Sequence, residues 1–310
     1  MRSVPTAKIE LIQDSLLTPE EASHPLANTK VRINKYKNKS NVRSVVHNHP
    51  YYELIAPLAG SSVSYSANGK IYTLQVGEVM LIPAGIYHSA RFNVSMDYSE
   101  RLIVQVEAGF WKQALDACKL ATPEWSQDIL ILNAQAVLAW DLTGLFRRMI
   151  HAASLPDPVQ ERVWTCQLVE LALLMEQSVN QKDIVAPSGT SLLVAKAADY
   201  LHTHYEDPQL NATTLAEYCF VSREHLARSF KAYTMESVHG YLTNLRMLAF
   251  KRAIMEGQPI LDASISSGFS DYTSFLKTFK KLYGTTPSEY RNKLQSQQGE
   301  KYGEHHDYPL

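Results

Sequence analysis

A chain of 310 residues, 45% hydrophobic and 20% charged, has the length of two domains and the composition of an ordinary globular protein. No apolar run approaches the roughly 20 residues that a bilayer-spanning helix needs, which excludes a helical membrane protein. The formal net charge of −1 argues against heavy nonspecific phosphate binding and leaves room for a specific nucleic-acid binder. Cys118, Cys166 and Cys219 show no CxxC spacing, and Met1–Glu10 has no signal-peptide core. Both features predict a cytoplasmic protein with reduced thiols.

Residues 1–30 are polar, contain Pro5, Pro19 and Pro25, and read as an arm. From Val31 the pattern becomes short and β-rich: Val31–Tyr36, Tyr52–Leu58, Val63–Ala67, Lys70–Leu74, Val79–Ile82 and Arg101–Val106. Asn68-Gly69 predicts a two-residue hairpin turn, and Gly77-Glu78 and Pro83-Ala84-Gly85 predict further turns. Short strands at this spacing predict a small barrel or jelly roll over residues 31–110.

Within that region lie His47-Asn48-His49, Glu53 and His88. In an extended strand His47 and His49 point to one side, and Glu53 reaches the same interior after the bend at Pro50. Three readings are open. The residues form a divalent metal site of three imidazoles and a carboxylate, a metal-free pocket for a small polar ligand, or a set that satisfies itself inside a barrel. The arrangement resembles the cupin family, whose first motif is H-x-H with a following Glu and whose second is G-x5-P-x-G-x2-H. Gly77, Pro83, Gly85 and His88 match the second motif, and the family's later Asn is displaced by one to Asn93. The resemblance implies ligand contacts from His47, His49, Glu53, Tyr65 and His88, with the four ligating residues also able to take a metal. No cofactor beyond such a metal is expected. Tyr36, Tyr51, Tyr52, Tyr65, Tyr72 and Tyr87 suit a sugar or other polyol as effector. A metal-dependent cupin enzyme is the competing function.

After the barrel the period turns helical, with helices expected over Phe110–Lys119, Ala134–Ala153 and Pro158–Gln177. In the last, Trp164, Leu168, Leu171 and Met175 form a two-heptad seam that either pairs with a second subunit or packs on its own barrel. Residues 111–180 read as a helical region, for dimerisation where the seam pairs with a second copy. Residues 181–190, rich in Pro, Ser and Gly, read as a linker.

Residues 191–298 read as an all-α domain, ahead of a tail at 299–310 that contains His305, His306 and Asp307. Leu192–His204 is an amphipathic helix, and Thr213 or Thr214 caps the next. Ser222 caps Arg223–Tyr233, and Val238–Glu256 is one long helix. A turn at Gly268 leads to a helix that Asp271 caps. That helix buries Phe275 and Phe279 and stops at Gly284 and Pro287. Ser222, Leu226, Arg228, Phe230, Lys231 and Tyr241 recur 49 residues later as Asp271, Phe275, Lys277, Phe279, Lys280 and Tyr290. Such a duplication predicts two helix-turn-helix units.

Gly268-Phe269, Asp271, Phe275, Phe279-Lys280-Lys281, Gly284, Thr286-Pro287 and Tyr290-Arg291 resemble the C-terminal signature of AraC/XylS transcription regulators. The resemblance implies an α+β multidomain protein in which a cupin-like sensor precedes a double helix-turn-helix domain. It implies double-stranded DNA, a small-molecule effector and a second copy of the chain as partners, and RNA polymerase where the regulator activates. By position, base contacts fall to Glu224, Ala227 and Arg228 on the first recognition helix. On the second they fall to Tyr272, Thr273, Leu276 and Lys277. Arg246, Lys251 and Lys281 read as phosphate contacts or solvated charges. Three positions depart from the pattern: Met235 and Ser264 stand where Gly and Ala are usual in the two copies, and Phe250 where Ala is usual in the connecting helix.

Overall fold

The computed structural model describes residues 11–13, 30–38, 42–92, 98–123 and 127–293. Asn93, most of the arm and the tail histidines lie outside them. The chain divides into two compact units, Met1–Ala195 with Tyr233–Met235 and Lys196–Ala232 with Glu236–Leu310. Among the described residues no helix is long and apolar enough to cross a membrane.

The first unit is sheet-rich. Its strands are β1 (Leu11–Gln13), β2 (Val31–Asn38), β3 (Val42–Arg43), β4 (Tyr51–Gly60), β5 (Val63–Ala67), β6 (Lys70–Leu74), β7 (Val79–Ile82), β8 (His88–Phe92), β9 (Ser99–Glu107), β10 (Leu130–Leu132) and β11 (Gly189–Thr190). They form a six-stranded sheet in the order β1-β2-β9-β4-β7-β10 and a five-stranded sheet in the order β11-β6-β5-β8-β3. The β5–β6 hairpin turns on Asn68 (φ 48°) and Gly69 (φ 70°), the two positive φ values that a type I′ turn requires.

Strand alternation builds two cores from the six-stranded sheet. Leu54, Leu81, Leu102, Val104 and Val106 face helices α1 (Ala108–Ala117), α2 (Ala134–Ala139), α3 (Leu142–Ala152) and α4 (Asp157–Asn180). Ile55, Met80, Ile82 and Ile103 face the second sheet and meet Tyr65, Tyr72, Leu74 and Phe92. The helix expected over 134–153 is two helices. Asp141 takes a left-handed φ of 46° and accepts a hydrogen bond from Gly144 N at 3.1 Å, which caps α3 and breaks the run. Trp164, Leu168, Leu171 and Met175 are buried in the helix-side core of their own unit. Of the two alternatives for the seam, the burial is that of packing on its own unit. The outward side of α4 instead exposes Val159, Cys166 and Leu173.

The segment at 181–190 is no free tether. Val185 N donates to Ile131 O at 2.8 Å, Ser188 N donates to Ile71 O at 2.7 Å, and Gly189–Thr190 pairs with β6. These bonds tie it to the edges of both sheets.

Beyond α5 (Leu192–His204) the second unit contains α6 (Ala212–Cys219), α7 (Arg223–Thr234), α8 (Val238–Met255), α9 (Ile260–Ser266) and α10 (Tyr272–Tyr283), and residues 287–293 are helical. Phe250 of α8 is fully buried, with Phe275 at 4.6 Å and Phe279 at 5.5 Å between ring centroids. Between α9 and α10, Gly268 has φ 89°, and a Cβ there would lie 2.2 Å from Tyr205 O and 2.9 Å from Arg246 Nε. On α5, His202 Nε2 lies 2.8 Å from the Tyr241 hydroxyl. Burial lowers the His202 pKa to about 4.

Two outcomes are expected. Gly268→Ala adds a steric clash to an unfavourable left-handed backbone, and it lowers stability in urea titration by more than about 1 kcal/mol beyond Gly257→Ala. Gly257 has φ 91° but no atom within 4 Å of the place a Cβ would take, so it controls for the backbone term alone. Because folding depresses the His202 pKa, the unfolded chain binds the extra proton. Stability therefore falls as pH drops from roughly 6.5 towards about 4, by up to about 1.4 kcal/mol per pH unit. His202→Gln flattens that slope in pH-dependent thermal melts.

Candidate functional site

His47 and His49 precede β4, Glu53 lies in it, and His88 opens β8. An isolated bridge locks two of them together: His47 N donates to His88 O at 3.0 Å and His88 N to His47 O at 2.9 Å. The turn at Pro83–Gly85 holds the third, because Gly85 N donates to His49 O at 2.8 Å while Gly85 takes φ 84°. All four side chains are buried.

Each ring is oriented by its own backbone. The Nδ1 of His47 lies 2.9 Å from Val45 O, that of His49 2.7 Å from Tyr51 O, and that of His88 3.0 Å from Ile86 O. A carbonyl only accepts, so each Nδ1 carries a proton, and a ring that is neutral presents a bare Nε2. A ligand atom from each of the three rings lies within 4.8 Å of the other two. Glu53 Oε2 lies 3.4 Å from His49 Nε2 and 3.7 Å from His88 Nε2. Gln105 Nε2 donates to Glu53 Oε1 and to the Tyr51 hydroxyl, both at 3.2 Å.

Burial pushes the His47 pKa down to about 3, and His88 and His49 add to the effect. Burial lowers His49 as well, against the pull of Glu53. Burial alone would raise the Glu53 carboxyl, but the His49 and His88 rings outweigh it and hold Glu53 well below its usual range. The rings do so by hydrogen bonds that need a proton on Nε2, the same proton that the backbone carbonyls hold on Nδ1. A neutral imidazole has only one. With the rings protonated on Nε2 the centre is an imidazolium–carboxylate set; with the rings neutral it is a set of inward lone pairs and a carboxylate, a donor set that suits a cation. Tyr65, expected at this site, lines the same cavity, and so does Arg101, which sequence reading missed. The cavity is only about 30 Å³. The signal for Arg101 was present: its two-residue spacing from Ile103 and Gln105 puts it on the inward face of β9.

In the second unit, α6 is capped by Asn211, whose Oδ1 accepts from Thr213 N at 2.8 Å and Thr214 N at 3.3 Å. Asn211 thus takes the role expected of Thr213 or Thr214. Phe220 turns the chain at φ 58°, and Ser222 Oγ accepts from His225 N at 3.2 Å to start α7. Leu226 and Phe230 face inward, while Glu224, Ala227 and Arg228 are exposed with His225 beside them. After Gly268, Asp271 Oδ1 accepts from Ser274 N at 2.7 Å to start α10. Tyr272, Thr273 and Lys277 are exposed on it. Leu276 is half-buried, packed against the Phe250–Phe275 core.

Two expected phosphate contacts are structural. Arg246 donates from Nε to Tyr205 O at 2.9 Å and from Nη2 to Asp207 O at 2.7 Å. Lys251 is 2% exposed, with its ammonium over the Tyr283 and Tyr290 rings. Lys281 is exposed. Met235 adopts φ 62°, the left-handed geometry that glycine favours. Ser264 is buried, and its hydroxyl donates to Leu261 O at 2.7 Å.

Residues 215–293 match a family described as a helix-turn-helix domain. The chain is 22% identical over 226 residues to the arabinose operon regulatory protein of Salmonella typhimurium, covering 72% of this chain and 78% of that one. It is 29% identical over 163 residues to a Streptomyces antibioticus protein described as an AraC-like transcription regulator, covering 51% of this chain and 52% of the relative. Among solved structures, the C-terminal domain of AraT, a response regulator from Geobacillus stearothermophilus, is 28% identical. It covers 33% of this chain and 86% of that one, with a TM-score of 0.33. Residues 215–293 thus carry a helix-turn-helix domain, and the chain is similar to transcription regulators of the AraC type.

Proposed function

We propose that the protein is a ligand-responsive, sequence-specific regulator. The two sheets are its cupin-like sensor barrel, and α6–α7 and α9–α10 are its two helix-turn-helix units. The observation that carries this reading is the repeated unit: each time, a capped helix buries two large apolar side chains and turns a polar face outward. Arg228 suits a bidentate contact to guanine, and Lys277 a contact to guanine or phosphate. Joining the units, α8 is 18 residues, about 27 Å at 1.5 Å per residue. That length suits recognition helices spaced by roughly one duplex turn. A homodimer uses the outward side of α4. As an activator, the protein also contacts RNA polymerase.

The effector is small. A cavity of about 30 Å³ is far below the few hundred that ordinary ligand pockets offer, so a sugar does not fit it. The bare Nε2 atoms of His47, His49 and His88 beside the Glu53 carboxylate favour a more specific reading, in which the sensor holds a divalent ion of the zinc, nickel, manganese or iron type. Those four side chains would hold the ion, and its charge would replace the missing proton between Glu53 and the imidazoles. Ligand acts by favouring one arrangement of the dimer over another.

Footprinting of the purified protein on DNA flanking its gene, over a salt series, tests the first reading. A compact protected site is expected, with affinity reduced about 10- to 100-fold by Arg228→Ala. Lys277→Ala is expected to weaken binding and, where it meets phosphate, to reduce the salt slope by about one. No protection at low salt would reject site-specific binding. For the metal reading, elemental analysis of untagged protein is expected to find about one divalent ion per chain, lost in His49→Ala. A metal-free wild type after incubation with each candidate ion would reject it.

A further inference from the structure

One side chain on the outward face of α7 has the wrong charge for a surface that meets DNA. Glu224 lies in the first turn of that helix and is exposed, as is Arg228 four residues on. It is the only acid on either recognition helix: α10, from Tyr272 to Tyr283, has three lysines and no carboxylate. Asp271, just ahead of α10, is held by its own helix, accepting from Ser274 N at 2.7 Å. The Glu224 carboxylate is not held. Among the described residues it forms no hydrogen bond or ion pair, and neither does the Arg228 guanidinium. Yet Glu followed by a cation at this spacing is the favourable order for a helical pair. An acid in a first turn also steadies the helix dipole, but that benefit does not depend on which side of the turn it takes. Ser222 Oγ already caps α7.

Facing a duplex, a carboxylate is repelled by the phosphates and by every acceptor on the base edges. In the major groove those acceptors are guanine N7 and O6, adenine N7 and thymine O4, and the donors are the amino groups of cytosine and adenine. Adenine sets its amino group beside the N7 lone pair, which repels a carboxylate. Cytosine shows N4 with no acceptor of its own beside it. It is the base that takes Glu224 without conflict. Residues four apart are about 6 Å apart along a helix, against about 3.4 Å per base step. The cytosine therefore falls within about two base pairs of the guanine assigned to Arg228.

We propose that Glu224 is a specificity-determining residue of the first helix-turn-helix unit, which accepts a hydrogen bond from cytosine N4 and rejects the other three bases by repulsion. This rests on the reading of α7 as a recognition helix. Glu224 weakens binding to all DNA except a site that offers cytosine there, which is discrimination by an added penalty.

The test uses the full-length protein and a randomised duplex library. Wild type, Glu224→Ala, Glu224→Gln and Arg228→Ala are each carried through selection. Affinities are then measured on the wild-type site and on its single-pair variants. A cytosine is expected within about two base pairs of the guanine whose preference is lost in Arg228→Ala, and replacing it lowers wild-type affinity about 5- to 150-fold. In Glu224→Ala the preference at that pair alone is expected to shrink to within about twofold, while affinity for unrelated sequence rises. Glu224→Gln is expected to move the preference there from cytosine to adenine, whose N6 and N7 pair with a side-chain amide. A role confined to helix stability would shift the melting temperature and leave base preference untouched. Unchanged base preference in both Glu224 variants overturns the proposal, and so does a preference lost at a pair that lacks cytosine. Failure of the wild type to select any site rejects sequence-specific binding itself.

Discussion

Glu53 is a carboxylate with 2% of its surface exposed, and the sheet-rich unit is arranged around the need to keep that charge from water. A buried charge is tolerated only where partners replace its hydration. Here Gln105 takes one oxygen and His49 and His88 face the other. The strand register makes this possible, since Glu53 on β4 is paired directly with Gln105 on β9. The Pro83–Gly85 turn then brings His49 and His88 to the same point. A carboxylate against bare nitrogens is an unfinished arrangement, and unfinished buried polar groups mark places where something else binds.

The regulatory unit solves a different problem, holding two similar helix pairs on one spine. Phe250 of α8 sits among Phe275 and Phe279. Three departures from the family pattern become intelligible there. The large ring at 250 is the centre of the second half's core. At 264 the serine hydroxyl is satisfied within its own helix by Leu261 O. Met235 accepts the left-handed turn at an energetic cost, of roughly a kilocalorie per mole relative to glycine.

Much of this was legible in the sequence, because local rules decided it. The hairpin at Asn68-Gly69, strands β5, β6 and β7, and helix α5 fall at the residues that alternation and turn chemistry predict. The histidine cluster followed from the spacing of His47, His49 and Glu53 and, for His88, from the resemblance to the second cupin motif. What was missed shares one cause, the dependence of local structure on distant partners. β10 is three residues long and exists because β7 is beside it. The break at Asp141 carries neither Gly nor Pro, so it had no turn signal. Arg246 and Lys251 read as surface charges, because nothing in their neighbourhood announces the carbonyls of Tyr205 and Asp207 or the rings of Tyr283 and Tyr290. The seam on α4 had the right spacing and an open choice of partner: periodicity gives the apolar face but not what covers it.

How occupancy of so small a cavity could matter beyond it follows from β9. Arg101, Ile103 and Gln105 face the cavity side, and Leu102, Val104 and Val106 face the helical layer. One strand therefore carries both a wall of that cavity and the floor on which α1 and α4 pack. Close-packed interiors transmit small displacements, because side chains have no free volume in which to absorb them. A displacement of β9 on its cavity side is felt by the helices packed on its other face. The effector can change the regulator only to the extent that it binds the two packings with different affinity.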